Sequence, residues 1–267
     1  MSDILARIIA QKKLEVAQLE PLALRRAAEQ SPAPRDFLAA LQPPAPGGPP
    51  RLIAELKRAS PSRGMLAAHL DLYEVAEIYA ANGAAAISVL TDRKFFLGEL
   101  ETLRELRFTR QSALPLLRKD FIIAEAQIYE ARANGADAVL LIAAALPDDA
   151  HFASLHACAR SLGLTALVEV HDAAEIERSL RLPGVALLGI NNRNLSTFEI
   201  SLETSERLRP LIPAGVTVVA ESAIFSRADV ARLARARLDA ILVGEALMTA
   251  PDIAARVREL SGKSTGA

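Results

Sequence analysis

Residues 52–57 read Leu-Ile-Ala-Glu-Leu-Lys and form the first of eight short apolar segments along the chain. Side chains alternate between the two faces of a β-strand, so Glu55 and Lys57 are expected to project to the same side. A carboxylate and an ammonium group on a buried strand cost free energy unless they are paired or take part in function. The segment therefore predicts a buried strand that ends in a polar site.

Seven similar apolar segments follow the first, and helix-like stretches separate them. Several segments are nearly continuous aliphatic runs, a pattern typical of parallel strands that are buried on both faces. The predicted strands span residues 52–57, 84–90, 114–119, 137–143, 164–170, 185–190, 216–221 and 238–243. Eight strands that alternate with helices predict an α/β fold, a (β/α)8 TIM barrel. A doubly wound open sheet is the alternative, and the lack of G-x-G-x-x-G after the first strand weakens it.

Two of the helix-like stretches end in the same way. Residues 73–81 stop at Asn82-Gly83, and residues 125–133 stop at Asn134-Gly135. Glycine after a helix allows the left-handed backbone that terminates it. The recurrence indicates one supersecondary unit that is used repeatedly, and we interpret it as structural.

The first 50 residues differ from the repeating body. Residues 1–19 predict an amphipathic helix, either packed on the body or serving as a lid or partner surface. Proline and glycine at 42–50 exclude a helix or strand interior. We expect one domain, with an extension and connector at 1–50, a barrel body at 51–260 and a flexible tail at 261–267. The apolar stripe of the first helix comprises Ile4, Leu5, Ile8, Ile9 and Val16.

Composition narrows the possible classes of protein. The 267 residues carry a net charge of -1, which gives no electrostatic reason to expect nucleic acid or a membrane surface as a partner. We find no apolar run of the roughly 18–20 residues that a spanning helix needs, and no signal peptide. The single cysteine, Cys158, excludes an intrachain disulfide and favours a reducing cytoplasm. We expect Cys158 to pack in the core.

Polar residues stand at the ends of six predicted strands. In a barrel, the chemistry lies at the C-terminal ends of the strands. Each polar residue alone fits a solvated rim, but their convergence predicts an active site. The four histidines show no metal-ligand spacing, so we expect no metal. The strand-end residues are Glu55, Lys57, Lys119, Asp120, Glu169, Asn191, Arg193, Glu221, Ser222, Gly244 and Glu245.

The loops after the seventh and eighth strands predict a phosphate site. Backbone N–H groups at helix N-termini hold anions at this position of a barrel. Ser222 and the N–H groups of Ala223, Gly244 and Glu245 fit this role, and Gly244 permits close backbone approach. Arg193 offers forked donors to a phosphate or carboxylate. The mixture of cations and carboxylates suits a small polyanion that undergoes acid–base chemistry.

Six ordered blocks of sequence resemble the indole-3-glycerol phosphate synthase family. They are collinear over about residues 50–250, and the helical extension also fits the family. The blocks are Ile-Ala-Glu-Leu-Lys-Arg-Ala-Ser-Pro-Ser-Arg-Gly at 53–64, Thr-Asp-Arg-Lys-Phe-Phe-Leu-Gly at 91–98, Leu-Arg-Lys-Asp-Phe-Ile at 117–122, Leu-Val-Glu-Val-His at 167–171, Gly-Ile-Asn-Asn-Arg-Asn-Leu at 189–195 and Ala-Glu-Ser at 220–222.

The resemblance implies a reaction and a substrate. 1-(o-carboxyphenylamino)-1-deoxyribulose 5-phosphate is closed to an indole ring, with loss of carbon dioxide and water. The family requires no cofactor or metal, so the expected partner is this phosphorylated small molecule, without nucleic acid or membrane. We expect a monomer or a weak homo-oligomer.

The resemblance also implies roles for individual residues. Lys119 is the expected general acid, and desolvation is expected to lower its pKa towards neutrality. Lys57 is expected to bind the substrate carboxylate and act as acid when the hydroxyl leaves, with Glu55 orienting it and serving as a second base. Glu169 is expected to stabilise a cationic nitrogen or take up a proton. The remaining expected substrate contacts are Asn191 and Glu221 for hydroxyl and amine groups, Phe96 and Phe121 for the aromatic ring, and Ser60, Arg193, Leu195, Ser222, Ala223, Gly244 and Glu245 towards the phosphate.

The chain departs from the family pattern at two site positions, and two other functions compete. Ala223 stands where the family usually has glycine, and Asn194 replaces a frequent aspartate. A phosphoribosylanthranilate isomerase would need a cysteine or a carboxylate pair, and the mid-helix Cys158 does not fit that need. A non-catalytic barrel that binds a phosphorylated metabolite would predict loss of Lys119 or Glu169, and both are present.

Overall fold

The computed structural model describes residues 3–42, 48–60, 64–66, 70–194 and 197–263. Within them, eight parallel strands close into a barrel, each pairing with the next and the last with the first. The closed ring confirms the (β/α)8 prediction and excludes an open sheet, and each strand matches its predicted bounds within two residues. The strands are β1 Arg51–Leu56, β2 Ala86–Leu90, β3 Leu116–Lys119, β4 Ala138–Ile142, β5 Thr165–Val170, β6 Leu187–Asn191, β7 Thr217–Glu221 and β8 Ala240–Val243.

Helices precede the barrel and connect its strands. The α-helices are α1 Asp3–Val16, α2 Pro21–Gln30, α3 Phe37–Ala40, α4 Leu72–Asn82, α5 Arg93–Phe96, α6 Leu100–Arg104, α7 Glu125–Ala133, α8 Asp149–Ser161, α9 Ala173–Leu180, α10 Glu203–Leu208, α11 Arg227–Arg235, α12 Glu245–Met248 and α13 Ile253–Ser261. A π-helical turn, Glu105–Thr109, and two 3-10 turns, Ala143–Ala145 and Arg209–Leu211, also occur. After β1 the chain folds back as a short hairpin, Ala59–Ser60 with Gly64–Met65. Part of the predicted connector, 43–47, and of the tail, 264–267, lies outside the described residues.

The two Asn-Gly stops have the predicted geometry. Gly83 ends α4 with φ 107°, and Gly135 follows α7 with φ 85°. In each case the next N–H reaches back to a carbonyl five residues earlier, Ala84 to Tyr79 at 3.1 Å and Ala136 to Ala131 at 3.0 Å. This pairing satisfies a helix-end carbonyl and turns the chain into the following strand.

The barrel interior is built in layers from alternate strands. Ile53, Leu117, Leu167 and Val219, from β1, β3, β5 and β7, are fully buried and belong to one inner core. Because side chains alternate with a period of two, the residues two positions later on the same strands also point inward. Those residues are Glu55, Lys119, Glu169 and Glu221. An apolar layer therefore lies directly below a charged layer at the C-terminal mouth.

The N-terminal helices cover both ends of the barrel. Phe37 of α3 and Leu41 after it are fully buried in the inner core, and Gln42 Nε2 donates to Thr217 Oγ1, at the first residue of β7. At the opposite end, Leu5 and Ile9 of α1 join the same core. The predicted amphipathic helix is therefore confirmed, with Ile8 also buried and Ile4 and Val16 half-buried.

Cys158 lies in α8 and packs in the hydrophobic core, as predicted. Burial raises the pKa of its thiol, which disfavours the reactive thiolate. In the described part of the chain, no helix is both long and apolar enough to cross a membrane.

Phe37→Ala is expected to lower the free energy of unfolding by about 3–5 kcal/mol, because it removes a ring that is 0% exposed at the base of the barrel. Urea unfolding measures this change, and Leu22→Ala, at a side chain that is 76% exposed, is the control. Equal losses in both variants would show that α3 does not seal the barrel.

Candidate active site

Four ionisable side chains, from Glu55, Lys119, Glu169 and Glu221, meet in the upper inner layer of the barrel. Lys119 Nζ lies 3.3 Å from Glu169 Oε2 and 3.4 Å from Glu221 Oε2. Glu55, Glu169 and Glu221 are each at most 5% exposed, so water contributes little to their solvation. Three buried carboxyl groups can share this layer because two ammonium groups, those of Lys119 and Lys57, lie beside them.

Two glycines make room for two of these carboxylates. A Cβ on Gly189 of β6 would collide with Glu221 Oε1, and a Cβ on Gly244 would collide with Glu55 Oε1. The space beside Gly244 is therefore occupied by the Glu55 carboxylate. We expected this glycine to allow backbone approach to phosphate, and the structure adds a second reason for it.

The charged layer changes the pKa of Lys119 in the direction opposite to our expectation. Burial lowers the pKa, as predicted from desolvation, but the carboxylates of Glu169, Glu221 and Glu55 outweigh burial and raise it above its ordinary value. The prediction of a pKa near neutrality is therefore wrong, because the sequence did not show how many carboxylates surround the amine. Lys119 holds its proton firmly in the free protein.

The two carboxyl groups that contact Lys119, those of Glu169 and Glu221, differ in pKa. Burial raises the pKa of Glu221 to about 8. The charge of Lys119 opposes this change, and repulsion from Glu169 and Glu55 adds to it. For Glu169, burial also acts upwards, but the charges of Lys119 and His171 hold its pKa well below the usual range. Glu169 is therefore the ionised member of this coupled pair, and Glu221 is the member that takes up a proton.

Two further polar groups extend the layer towards the pocket. Lys57 Nζ lies 2.9 Å from Glu55 Oε1, so the pair quoted first from the sequence is in direct contact. Asn191 Nδ2 donates to Glu169 Oε1 at 3.1 Å, and Asn191 Oδ1 accepts from the Arg193 N–H at 3.0 Å. Asn191 thereby links the charged layer to the loop after β6.

The pocket above the layer has an apolar side. The rings of Phe96 and Phe121 line it, with their centroids 6.0 Å apart. Sequence reasoning predicted these two rings but not the other apolar side chains. The additional ones include Ile4, Leu5 and Ile8 of α1, Leu90, Leu140 and Ile142 inside the barrel, and Phe198, Ile224 and Phe225 in the loops. The helix α1 therefore forms part of the pocket wall.

The predicted phosphate residues border the other side of the same pocket. Ser222 and Ala223 follow β7 with φ values of 66° and 61°, and Gly244 and Glu245 form the start of α12. Arg193 lines the pocket nearby, with Nη2 3.8 Å from Glu245 Oε2. The Ser60 side chain and Leu195, both predicted to contact the substrate, lie outside the described residues, as do residues 61–63.

Lys12 is a residue that sequence reasoning missed. It is 2% exposed, and its Nζ lies 2.8 Å from Asp92 Oδ2 and 2.8 Å from Asp120 Oδ1. Asp92 caps α5 by accepting from the Phe96 N–H, and Asp120 directly follows Lys119. Lys12 is not among the site residues predicted from the sequence. Its spacing of three and four residues from Ile9 and Ile8 is the signal that could have placed it on the buried stripe.

Within the described residues, no group of three or more histidine, cysteine, aspartate or glutamate side chains is arranged to hold a metal ion. The contacts among the strand-end residues are ion pairs and hydrogen bonds between ionisable groups.

Comparison with known proteins identifies the family. The protein-family model described as "Indole-3-glycerol phosphate synthase" matches residues 5–260. The chain belongs to the indole-3-glycerol phosphate synthase family. The synthase from Polaromonas sp. (strain JS666) is 50% identical over 266 residues, covering 98% of this chain and 99% of its own. The synthase from Roseiflexus castenholzii is 50% identical over 273 residues, covering 98% and 100%.

Solved structures of other enzymes have the same barrel fold as this member of the indole-3-glycerol phosphate synthase family. 3-Hexulose-6-phosphate synthase from Salmonella typhimurium matches with a TM-score of 0.61 and 14% identity, covering 79% of this chain and 97% of its own. 3-Keto-L-gulonate-6-phosphate decarboxylase from Vibrio cholerae matches with 0.60 and 18%, covering 80% and 98%. At these identities the likeness concerns the fold alone.

Lys12→Met is expected to lower the free energy of unfolding by about 3–5 kcal/mol, because it leaves the buried Asp92 carboxylate without its cation and leaves Asp120 with Arg118 alone. Chemical denaturation measures the change. Lys13→Met, at the adjacent exposed lysine, is the matched control. A Lys12→Met variant as stable as this control would contradict the anchoring role.

Ala223→Gly is expected to raise the free energy of unfolding by up to about 1 kcal/mol. Glycine relieves a left-handed backbone that costs an L-residue about 1–2 kcal/mol, and this gain exceeds the added entropy of the unfolded chain, about 0.4–1 kcal/mol. Thermal and urea unfolding test the sign. Ala214→Gly, at an exposed alanine outside the left-handed region, is the control and should only lose stability. Equal losses at both positions would show that Ala223 is not strained.

Proposed function

We propose that the pocket at the barrel mouth performs the indole-3-glycerol phosphate synthase reaction of tryptophan biosynthesis. The substrate is 1-(o-carboxyphenylamino)-1-deoxyribulose 5-phosphate, and the enzyme is a carboxy-lyase. The observation that carries this proposal is the ammonium group of Lys119, which lies between two carboxylates and lines a pocket with an aromatic wall. Family membership over residues 5–260 supports it.

The pocket offers a separate place for each part of this substrate. Phe96 and Phe121 accommodate the aromatic ring, and the loops after β7 and β8 accommodate the phosphate. Lys57 pairs with the substrate carboxylate, while Glu55, 2.9 Å away, keeps the lysine oriented. Binding the substrate in this orientation brings the ring carbon that carries the carboxyl group next to the ribulose carbonyl.

Ring closure forms a carbon–carbon bond between that ring carbon and the carbonyl carbon. The carbonyl oxygen takes up the electron pair of its π bond and receives a proton from Lys119 Nζ. Positive charge develops on the substrate nitrogen, where the ionised Glu169 stabilises it. Since the pKa of Lys119 is raised, the proton leaves only when the oxygen becomes a strong base, so donation follows bond formation closely.

Decarboxylation and dehydration complete the conversion. The carbon–carbon bond to the carboxyl group breaks, carbon dioxide leaves, and the electron pair neutralises the cationic nitrogen system. The new hydroxyl group leaves as water with a proton from Lys57, and a carboxylate, Glu169 or Glu55, takes the proton released as the indole forms. Asn191 and Glu221 hold the substrate hydroxyl and amine groups, for which a protonated Glu221 supplies a donor.

The proposal also covers partners and location. The net charge of -1 supports a function without nucleic acid, and the single cysteine supports a reducing cytoplasm. We propose that the enzyme acts without a cofactor as a monomer or weak homo-oligomer. Sedimentation at several concentrations tests the assembly, and a stable large oligomer would contradict it.

Lys119→Met is expected to lower kcat by a factor on the order of 10²–10⁴, because it removes a positioned proton donor. Indole fluorescence after addition of the ribulose substrate measures turnover, and a binding titration measures whether substrate still associates. Lys263→Met, at an exposed lysine beside α4, is the control. Near-parental turnover in Lys119→Met would refute the acid assignment. A parent that binds phosphorylated ligands tightly without forming indole would favour a metabolite-binding barrel instead.

A further inference from the structure

His171 contacts the charged layer from outside the substrate pocket. It lies two residues after Glu169, just beyond β5, and its Nε2 is 3.3 Å from Glu169 Oε1. His171 starts the loop that leads from β5 to α9. The same loop position brings the imidazole against a carboxylate of the catalytic layer.

A second carboxylate fixes the other side of the imidazole. Glu175 Oε2, in the first turn of α9, lies 3.1 Å from His171 Nδ1 and accepts from the His171 backbone N–H at 2.8 Å. The Glu175 N–H in turn donates to Asp172 Oδ1 at 2.8 Å. The start of α9 favours a negative charge at Glu175. The ring therefore lies between two carboxylates, hydrogen-bonded to Glu175 through Nδ1 and within ion-pair distance of Glu169 through Nε2. Two carboxylates beside one ring favour the doubly protonated imidazolium.

Further charged side chains of both signs lie around His171. His171 lines a hollow on the outer side of the β5 and β6 loops, and the other charged groups there are Asp172, Glu175, Arg193, Glu199 and Arg207. Burial lowers the pKa of His171, but Glu169 and Glu175 outweigh burial and raise it to about 10. The two carboxylates in direct contact therefore determine its charge state.

We propose that His171 is a positioning residue for the ring-closing chemistry, an imidazolium that holds Glu169 in place and remains cationic when Lys119 gives up its proton. The proposal rests on the proposed function. Glu169 Oε1 accepts a hydrogen bond from Asn191 Nδ2 and lies 3.3 Å from His171 Nε2, while Oε2 faces Lys119. The carboxylate thus cannot rotate towards Lys119 with both oxygens.

Loss of this imidazolium has a defined electrostatic consequence. When Lys119 transfers its proton to the substrate, Glu169 loses its nearest positive charge, and His171 is the cation that stays in contact with it. Without His171, the Glu169 carboxylate attracts the Lys119 proton more strongly, and its own pKa rises. Proton donation becomes slower, and the ionised form of Glu169 persists over a narrower range of pH.

His171→Gln tests the proposal, because glutamine retains hydrogen bonding but has no charge. We expect kcat to fall about tenfold at neutral pH, with little change in KM. Tenfold is the factor that corresponds to a change of one unit in the pKa of a neighbouring acid. The acidic limb of the kcat–pH profile should move to higher pH, since Glu169 then protonates more easily. His151→Gln, at an exposed histidine of α8, is the matched control.

Glu175→Gln separates charge from structure while leaving His171 in place. Removing one carboxylate lowers the pKa of the imidazole, so this variant should resemble the parent at pH 6 and approach His171→Gln by pH 9. NMR titration of the His171 ring should give a midpoint near pH 10 in the parent and a lower one in Glu175→Gln.

The outcomes distinguish this inference from the proposed function. A parent without indole-forming activity contradicts the proposed function. An active parent whose pH profile coincides with those of His171→Gln and Glu175→Gln contradicts this inference alone. A His171 ring that titrates near its ordinary value of about 6.5 in the parent also refutes it, whether or not the variants fold.

Discussion

The contact of Lys119 with Glu169 and Glu221 is the interaction on which the mouth of this barrel depends. Three carboxylates from alternate strands lie in one layer, away from water, and each would be costly there by itself. The ammonium group compensates two of them directly, and Lys57 compensates the third, Glu55. The layer is thus stable only as a unit, and the same mutual compensation produces the unequal acidities that acid–base chemistry needs.

The fold delivers this unit through simple geometry. Each odd-numbered strand places an aliphatic residue inward and then, two positions later, a charged one at the C-terminal edge. Barrel closure brings the four charged ends together, although they are far apart in sequence. Gly189 and Gly244 leave the volume that two carboxylates occupy. The N-terminal extension covers both ends of the barrel, with α3 at the N-terminal ends of the strands and α1 at the C-terminal mouth. One segment therefore contributes to stability at one end and to the pocket at the other.

Local patterns predicted most of this arrangement. Strand positions and inward direction follow from periodicity, so Glu55, Lys119 and Glu169 could be identified without knowing their partners. What depends on distant contacts could not be predicted. The pKa of Lys119 depends on the number of carboxylates around it. These carboxylates come from distant strands, so their number is known only from the folded barrel. Lys12 was missed because a lysine in a surface helix is normally expected to be exposed to solvent. Its burial is explained only by Asp92 and Asp120, which lie opposite it in the folded protein.

The direction of these pKa changes explains the order of events in the proposed reaction. A substrate carboxylate and a phosphate bring further negative charge to a mouth that already holds the ionised Glu169 and the carboxylate of Glu55. Lys57 and Arg193 lie where these groups are proposed to bind, so Lys119 is not diverted to pair with them. Its raised pKa prevents loss of the proton to solvent before attack begins. Only the alkoxide that forms at the attacked carbonyl is basic enough to take it, so the charged layer couples proton transfer to the formation of the carbon–carbon bond.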